Sequence, residues 1–447
     1  MQVIETLNEG LKRELKIVVP ASELDSRLTT RLEEIKDRVR IKGFRPGKVP
    51  VDHLRRLFGR STMAEILQSV LTENTRQTLR ERGERAAAQP EIDLPEDQAE
   101  AEKVLSGQAD LAYSMKYEIL PKVEPKSFKG VKIERPVVSL TDEDVEEELR
   151  RFAESVRGFT PKDGPAEMGD QVRLSYAGKI DGTPFAGGSD EDAVMRLGSG
   201  QFIPGFEEQL VGVKAGESRT VTATFPQDYA AAQYAGKTAV FDVTVREVGA
   251  PGEVRIDDAL AQQLGMESVD KLRQAMRGQL ESRYGEMARQ RAKRQVLDHL
   301  DEMHAFELPP TMVQQEFENI WRQITSDMQQ AGAGFEAEGT TEEAAREEYR
   351  KIAERRVRLG LVMSELGERN KIEVTEEEVQ RALAAQLRQV PGQEQQYYDY
   401  YRQNPEALAA LRAPIFEEKV VDFLLELADV TARPVTKDEL LKEAEAD

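Results

Sequence analysis

The sequence predicts a multidomain α+β protein, with an α+β N-terminal domain, a compact β-rich central domain and an all-α C-terminal domain. Its 447 residues exceed what one hydrophobic core usually serves, and about 150 residues per domain gives about three domains. Apolar residues alternate in short segments from Met168 to Val248, the pattern of a β-rich domain. After Gly252 they recur at helical spacing over most of the remaining chain.

The changes of pattern also place the domain boundaries. We expect an N-terminal domain over residues 1–120, an extended linker leading into a helix over 121–150, a central domain over 151–250 and a helical domain over 251–447. The linker contains Pro121, Pro125 and Pro136, which favour extended backbone. Thr141 and the acidic residues after it predict the start of a helix that reaches about Arg157.

The N-terminal domain combines strands with amphipathic helices. Strands are expected over Gln2–Leu7, Leu11–Val19 and Leu111–Ile119. One helix is expected to begin at Ser22, which with Asp25 resembles a capping box, and to end at Gly43. Its apolar stripe consists of Leu24, Leu28, Leu32, Ile35 and Val39. A second helix is expected from about Ser61 to Arg82.

The rest of the chain changes from strands to helices. Asp181-Gly182 predicts a hairpin turn in the central domain. Helices are then expected over 257–304, 310–331, 341–370, 375–390 and 404–430. The apolar spacing of Phe317, Ile320, Trp321 and Ile324 is more typical of a core than of a binding face. For the dense cluster of Tyr397, Tyr398, Tyr400 and Tyr401, local packing and contact with a partner both stay open.

The composition excludes several kinds of chemistry. The chain has no cysteine and only three histidines, His53, His299 and His304, so neither disulfides nor a metal centre is expected. We interpret His299 and His304 as surface residues of a charged helix. No Gly-x4-Gly-Lys-Ser/Thr phosphate loop occurs, so no nucleotide is expected. The sequence therefore predicts a protein that needs no cofactor.

The N-terminus does not resemble a secretion signal. Acidic residues stand at Glu5 and Glu9, where a signal peptide needs a basic start and an apolar stretch. No apolar run approaches the roughly 18 residues of a membrane span. We expect a cytoplasmic protein without a membrane partner.

The charge of the chain is unevenly distributed. The net charge is −21, but residues 27–60 hold eleven lysines and arginines against four acidic residues, a local charge of +7. A basic segment on an acidic protein steers that segment toward polyanions such as RNA while the rest is repelled. The distribution therefore predicts end-on docking to a polyanionic partner.

An ordered series of short motifs runs through the central domain. Gly169-Asp170 precedes a predicted strand that contains Tyr176, and Phe185 follows the hairpin. Residues 198–207 read Gly-Ser-Gly-Gln-Phe-Ile-Pro-Gly-Phe-Glu, and residues 214–217 read Lys-Ala-Gly-Glu. Across residues 168–248 this series resembles the FKBP-type prolyl isomerases.

The resemblance implies a pocket for proline in the central domain. Its lining would be Tyr176, Phe185, Phe202, Ile203, Phe206 and Phe241. The alternative is that these are ordinary core side chains, the more common fate of any single phenylalanine. The chain departs from the family pattern at Ala186, Ala193 and Ala231, where an aspartate, an aromatic residue and a tyrosine are common. The strength of the isomerase activity therefore stays open.

Prolyl isomerisation needs neither a nucleophile nor a metal. The X-Pro bond rotates over a barrier of roughly 18–20 kcal/mol because the planar amide has partial double-bond character. Twisting the amide lowers its dipole, so an apolar pocket penalises the planar ground state more than the twisted transition state. An aromatic pocket would be sufficient.

A second motif lies in the basic segment. Two glycines and two prolines interrupt regular structure over residues 43–50, Gly-Phe-Arg-Pro-Gly-Lys-Val-Pro. Together with the order of the three domains, this octapeptide resembles the ribosome-docking motif Gly-Phe-Arg-x-Gly-Lys-x-Pro of the trigger factor family. The residues implied in ribosome binding are Gly43, Phe44, Arg45, Pro46, Gly47 and Lys48.

The resemblance to trigger factors covers the whole chain and implies a set of partners. The octapeptide would contact ribosomal protein and rRNA beside the exit tunnel. The C-terminal domain would supply a cradle for nascent and unfolded polypeptides, and would work without ATP. Homodimer formation by the free protein stays open.

Two alternatives remain at this point. Taken alone, the octapeptide is more simply a turn between helices with a solvated basic face. A free cytosolic FKBP-type prolyl isomerase, whose terminal domains merely select substrates, would also explain the central motifs. Ribosome association through residues 44–48 would distinguish a ribosome-bound chaperone from a free prolyl isomerase.

Overall fold

A computed structural model describes residues 1–36, 39, 41, 44, 48–94, 97–227, 229, 231, 233–331, 334–335 and 339–445. Its strands, numbered in chain order, are β1 Gln2–Glu9, β2 Lys12–Val19, β3 Glu91–Asp93, β4 Leu111–Glu118, β5 Lys132–Val138, β6 Phe159–Pro161, β7 Gln171–Ile180, β8 Thr183–Arg196, β9 Ser218–Thr224, β10 Thr238–Pro251 and β11 Asp429–Val435. Its α-helices are α1 Ala21–Lys36, α2 Val51–Arg82, α3 Gln98–Leu105, α4 Asp142–Val156, α5 Asp258–Gln263, α6 Val269–Met303, α7 Pro310–Ala331, α8 Glu342–Asn370, α9 Glu376–Leu387, α10 Glu394–Gln403, α11 Pro405–Leu427 and α12 Lys437–Glu445.

The chain divides into two compact units, each built from several stretches. Unit 1 comprises Met1–Val131, Val296–Ser326 and Phe335–Ala428. Unit 2 comprises Lys132–Gln295, Asp327–Gly334 and Asp429–Asp447. The α+β, β-rich and helical parts are all present, so the predicted fold class is confirmed. The units do not follow the predicted domain boundaries, which stay predictions.

Unit 1 contains a four-stranded antiparallel sheet in the order β1-β2-β4-β3. Burial alternates along β4 as predicted, because successive side chains point to opposite faces. The buried face consists of Leu111, Tyr113, Met115 and Tyr117. It shares one core with Leu24, Leu28 and Leu32 of α1 and with the apolar side of α2. The predicted stripe of α1 is therefore confirmed for these three leucines.

Helix α1 begins at Ala21, one residue before the predicted cap Ser22. The Ala21 N–H donates to Oδ1 of Asp110 at 2.8 Å, so the partner is the residue that precedes β4. Asp25 instead accepts a hydrogen bond from Arg55 at 2.6 Å. The predicted capping box is therefore wrong, because Ser22 lies inside the first turn of α1 and Asp25 pairs with Arg55 of α2. The described helix ends at Lys36, and Val39 and Ile41 are not helical, so α1 is shorter than predicted; the predicted end itself, Gly43, lies outside the described residues.

Helix α2 begins at Val51 instead of about Ser61. Pro50 precedes it in an extended conformation, and Leu54 in its first turn is fully buried. Arg55, Arg56 and Arg60 lie among the apolar residues of the following turns and interrupt their spacing. The helix ends as predicted at Arg82, where Gly83 takes a left-handed φ of 61° and caps it.

The central sheet lies in unit 2. Its strands run β6-β10-β7-β8, β9 pairs with β10, and all pairs are antiparallel. Asp181 and Gly182 join β7 to β8 with φ values of 50° and 79°, which confirms the predicted hairpin turn. The buried core of this sheet includes Val172, Leu174, Val221, Phe241, Val243 and Val245.

The segment predicted as a linker contributes structure to unit 2. Strand β5 pairs in parallel with β11, near the other end of the chain. Helix α4 begins after Thr141 as predicted, and Thr141 and Asp144 form a capping box. Its buried residues Val145, Leu149 and Ala153 pack against α5 and the first turns of α6. From Lys132 onward the segment therefore contributes a strand and a helix to unit 2.

The helical prediction after residue 252 holds for most of the described C-terminal part. The sequence missed α10 and α12, and it assigned to a helix the first residues of β11. Strand formation there depends on β5, which lies far away in sequence. Phe317, Ile320, Trp321 and Ile324 pack with Tyr349 and Ala353 in a cluster between α7 and α8, as expected of a core.

The prediction that His304 is a surface residue is wrong. Its side chain is buried, with 5% of the residue exposed. Nε2 accepts a hydrogen bond from the Lys126 N–H at 3.0 Å, and Nδ1 lies 2.7 Å from the Leu300 carbonyl. The ring is therefore a hydrogen-bonded structural residue of unit 1. His299 is partly exposed, as expected.

Candidate functional site

Six side chains that the sequence assigned to a proline pocket line one cavity in unit 2. Its volume is about 660 Å³. The six are Tyr176 of β7, Phe185 of β8, Phe241 of β10, and Phe202, Ile203 and Phe206 between β8 and β9. We call this cavity the aromatic pocket. The structure thus brings all six together, whereas their role toward proline stays a prediction.

The rings of the aromatic pocket hold one another in place. Phe206 forms the floor and is 1% exposed. Its ring meets Phe241 edge to face at 5.1 Å, lies 6.2 Å from Tyr176, and stacks on Phe202 at 5.4 Å. Edge-to-face and offset pairs of this kind are the preferred aromatic geometries. The pocket is therefore pre-formed.

Two glycines make room for these rings. A Cβ atom at Gly178 of β7 would lie 2.5 Å from the Phe241 ring, and one at Gly188 of β8 would lie 2.8 Å from the Phe185 ring. Non-bonded carbon atoms do not approach one another this closely, so a side chain at either position would displace the ring. Glycine therefore allows the rings to lie over the strands here. Sequence reasoning missed both, although glycine inside a strand is a signal of close approach.

The aromatic pocket is lined by more residues than the six predicted ones. Phe225, Tyr229 and Tyr234 also line it, and Tyr234 lies 5.1 Å from Phe185. Of the three departures from the family pattern, Ala186 and Ala231 line the cavity. Ala193 instead is buried in the core of the sheet, opposite Leu174. Two of the departures therefore affect the shape of the pocket wall.

The described residues that line the aromatic pocket are apolar or uncharged. Among the described residues around the cavity, no aspartate, glutamate, lysine or arginine contributes to the wall. Burial raises the pKa of Tyr176, and the nearby Asp190 and Tyr229 add to the effect. The phenol therefore stays neutral at physiological pH. Such a lining can desolvate an amide without offering it a charge.

The predicted docking residues are only partly described. Gly43, Arg45, Pro46 and Gly47 lie outside the described residues. Phe44 is 39% exposed, and its ring centroid lies 5.1 Å from that of His53. Val49 is buried and anchors the chain in the core of unit 1, whereas Lys48 before it is exposed. The two described docking residues are therefore accessible.

The basic character of residues 27–60 is partly neutralised by folding. Arg27 pairs with Glu73 at 2.7 Å, Arg55 with Asp25 at 2.6 Å and Arg60 with Glu102 at 2.6 Å. All three carboxylates belong to residues outside the segment. The local charge of +7 therefore overstates the field at this surface. Among described residues, Lys48 and Arg56 form no ion pair.

The four tyrosines of the C-terminal cluster lie on or beside the exposed side of α10, which contributes no buried residue. Tyr397, Tyr398 and Tyr400 are exposed, Tyr400 by 55%. The rings of Tyr400 and Tyr401 meet edge to face at 5.6 Å. We call Tyr397, Tyr398, Tyr400 and Tyr401 the tyrosine patch. Local packing does not account for this much exposed aromatic surface.

Among the described residues, no group of three or more histidine, aspartate or glutamate side chains is arranged to hold a metal ion. No described helix is both long and apolar enough to cross a membrane.

Profiles of known families match three stretches of the chain. The bacterial trigger factor protein profile matches residues 1–152, and that of the trigger factor C-terminus matches residues 268–426. The profile of FKBP-type peptidyl-prolyl cis-trans isomerases matches residues 162–246.

Curated relatives match over nearly the full length. The chain is 56% identical over 445 residues to the trigger factor of Allorhizobium ampelinum, which covers 100% of this chain and 90% of the relative. It is 56% identical over 443 residues to that of Brucella abortus, covering 99% and 94%. A solved trigger factor chaperone chain is similar at a TM-score of 0.55 and 20% identity, covering 95% of this chain and 99% of that one. The structural likeness indicates the same fold.

Proposed function

The chain belongs to the trigger factor family, and from this premise we propose how its parts divide the work. It is a ribosome-associated, ATP-independent chaperone with peptidyl-prolyl cis-trans isomerase activity. We assign docking to residues 1–120, isomerisation to 151–250 and client binding to 251–447, with 121–150 as the connector. The cytosol is the proposed location because nascent chains emerge there.

The isomerase activity is assigned to the aromatic pocket. The observation that carries the assignment is the convergence of Tyr176, Phe206 and Phe241 with three further apolar side chains on one cavity, whose described lining residues carry no charge. An X-Pro amide bound there loses its water, and the planar form, which has the larger dipole, loses more solvation than the twisted form. The barrier of roughly 18–20 kcal/mol is lowered by this difference alone.

Prolyl isomerisation by the intact chain tests the assignment. Phe202→Ala removes one pocket wall and is expected to lower kcat/KM by about tenfold, the equivalent of about 1.4 kcal/mol of transition-state binding. Val194→Ala truncates an exposed side chain on β8, outside the pocket, and should leave kcat/KM unchanged. Equal activity of both variants would remove the pocket assignment.

Docking is assigned to Gly43, Phe44, Arg45, Pro46, Gly47 and Lys48. Phe44 is exposed, and Lys48, which precedes the buried Val49, is free of ion pairs among the described residues. An exposed aromatic ring offers apolar contact to ribosomal protein, and free cations offer contact to phosphate. We propose that the partner surface includes rRNA, with Arg56 as an additional cation.

Salt dependence tests the RNA part of this proposal. When the logarithm of the binding constant is plotted against the logarithm of the salt concentration, each neutralised phosphate contributes about −0.7 to −0.9 to the slope. Replacement of Arg56 by alanine should reduce the slope by about one such unit. A slope near zero for the wild type would leave ribosomal protein as the sole partner.

Client binding is assigned to the helical part, where the tyrosine patch supplies exposed aromatic surface. Unfolded polypeptides offer varied apolar side chains, and rigid aromatic rings bind these at low entropic cost.

Homodimer formation by the free chain is the remaining part of the proposal. Sedimentation of the pure protein over a range of concentrations decides between monomer and dimer.

A further inference from the structure

The carboxylate of Glu207 lies beside the loop that forms one wall of the aromatic pocket. Glu207 directly follows the floor residue Phe206 and is 4% exposed. The loop covers residues 198–204, between β8 and the turn that carries Phe206. A buried charge needs hydrogen-bond partners to be tolerated.

Five donors of the loop converge on this carboxylate. Oε2 accepts from the N–H groups of Gly198 at 2.7 Å and Gly200 at 3.2 Å. Oε1 accepts from the Ser199 hydroxyl at 3.0 Å, and from the N–H groups of Gln201 at 3.1 Å and Phe202 at 3.2 Å. A carboxylate offers about four lone-pair sites, so its acceptor capacity is fully used.

The backbone of the loop is shaped for this contact. Gly198 and Gly200 have φ values of 85° and 70°, in the left-handed region that favours glycine. Left-handed residues that alternate with others turn successive N–H groups toward one point, which is the geometry of an anion-binding nest. A Cβ at Gly200 would meet no atom within 4 Å, so this glycine is needed for its φ and not for space.

The titration behaviour of Glu207 agrees with the geometry. Burial by itself raises the pKa of the carboxyl, but hydrogen bonds from the loop outweigh burial and lower the pKa below its ordinary value. The donors responsible are the N–H groups of Gly200, Phe202 and Gly198 and the hydroxyl of Ser199. The carboxylate is therefore charged at neutral pH, and its hydrogen bonds are of the strong, charge-assisted kind.

We propose that Glu207 is a positioning residue of the isomerase pocket, which fixes the wall residue Phe202 against the floor residue Phe206. Phe202 is tied to the carboxylate through its own N–H, and Phe206 is the chain neighbour of Glu207. The two rings stack with a centroid distance of 5.4 Å and an interplanar angle of 20°. One side chain thus sets the separation of wall and floor. The role rests on the proposed assignment of the aromatic pocket to proline.

Glu207→Gln tests the proposal in the intact chain. The variant keeps the size of the side chain but replaces one acceptor oxygen with an NH₂ group, so at least two loop donors lose their partner. We expect kcat/KM for a prolyl tetrapeptide to fall by about tenfold to a hundredfold, because small displacements of positioned groups have such effects. The backbone amide resonances of Gly198 and Gly200 should move at the same time.

Glu208→Gln is the matched control. Glu208 is the next residue, is exposed, and its side chain forms no hydrogen bond among the described residues. The same chemical change there should leave kcat/KM and the loop resonances as in the wild type. The measurement is made at a temperature where circular dichroism shows every variant fully folded. A merely stabilising role of Glu207 would lower the thermal midpoint but leave kcat/KM of the folded variant unchanged.

The outcomes separate this inference from the proposed function. Wild-type kcat/KM in folded Glu207→Gln overturns the positioning role and leaves the pocket assignment intact. A wild type that does not isomerise prolyl peptides removes the pocket assignment and the positioning role together. If Glu207→Gln does not fold, amide hydrogen exchange of the wild type decides. Slow exchange at Gly200, Gln201 and Phe202 supports the tether, and exchange at free-peptide rates overturns it.

Discussion

Replacing Phe206 by alanine removes the floor of the aromatic pocket. The phenyl ring is buried and meets Tyr176, Phe202 and Phe241 at 6.2, 5.4 and 5.1 Å. Each aromatic pair is worth about 0.5–1.5 kcal/mol, and truncation of a buried phenylalanine typically costs about 3–5 kcal/mol. We expect a loss of stability of this size, confined to the central sheet of unit 2.

The loss of isomerase activity follows from the same contacts. A client proline would lose the apolar surface of one ring, which is worth about 1.5–3 kcal/mol when fully buried. Converted to rate, kcat/KM should fall by about tenfold to 150-fold. Prolyl isomerisation of a tetrapeptide is measured at low temperature, where the variant remains folded, and suppression of client aggregation is measured beside it.

Phe159→Ala is the control for the Phe206 variant. Phe159 lies on the edge strand β6 of the same sheet, outside the aromatic pocket. It should keep isomerase activity, and both variants should keep aggregation suppression. Isomerisation within about twofold of wild type in folded Phe206→Ala would refute the pocket argument. Loss of both activities together would contradict the separate roles of the sheet and the helices.

Two further predictions concern other parts of the molecule. Replacing Tyr397, Tyr398 and Tyr400 by alanine should reduce aggregation suppression while leaving isomerisation intact. Alanine at Gln395, Gln396 and Gln403 of the same helix is the matched control. Equal aggregation suppression by the two variants would contradict client binding at the tyrosine patch. The Thr141 hydroxyl and N–H, and then Lys437, lower the pKa of Asp144 to about 2. Lys437→Met should raise that pKa toward its ordinary value in an NMR titration, and an unchanged pKa would contradict the contact at 3.0 Å. Because the folded pKa is the lower one, this carboxylate stabilises the fold above pH of about 4 and loses its effect as the pH falls toward 2.

The elements that the sequence predicted well are those with local causes. The alternation in β4, the leucines of α1 and the Asp181-Gly182 turn each depend on neighbouring residues alone. The aromatic pocket could be listed from its motifs because their order along the chain matches a known family. Its glycine clearances at Gly178 and Gly188 depend on rings from other strands or positions, and became visible only in the structure.

The elements that the sequence missed have distant causes. Asp110, the residue before β4, accepts a hydrogen bond from the first residue of α1, and β11 exists because β5 pairs with it. The buried ring of His304 accepts its hydrogen bond from the Lys126 N–H, which lies far away in sequence. The charge of the basic segment was overstated because acidic partners reach it from other elements. Periodicity and composition carry no information on such pairings.

Ribosome docking is the central claim, and co-sedimentation with ribosomes tests it most directly. The intact chain is compared with the variant Phe44→Ala, Arg45→Ala, Lys48→Ala at low and high salt. Lys12→Ala, Lys16→Ala on the exposed positions of β2 removes the same number of cations from the same unit and is the control. We predict that the wild type and the control pellet with ribosomes, more weakly at high salt, and that the docking variant stays in the supernatant. Pelleting of the docking variant to the wild-type extent would contradict the assignment of docking to these residues.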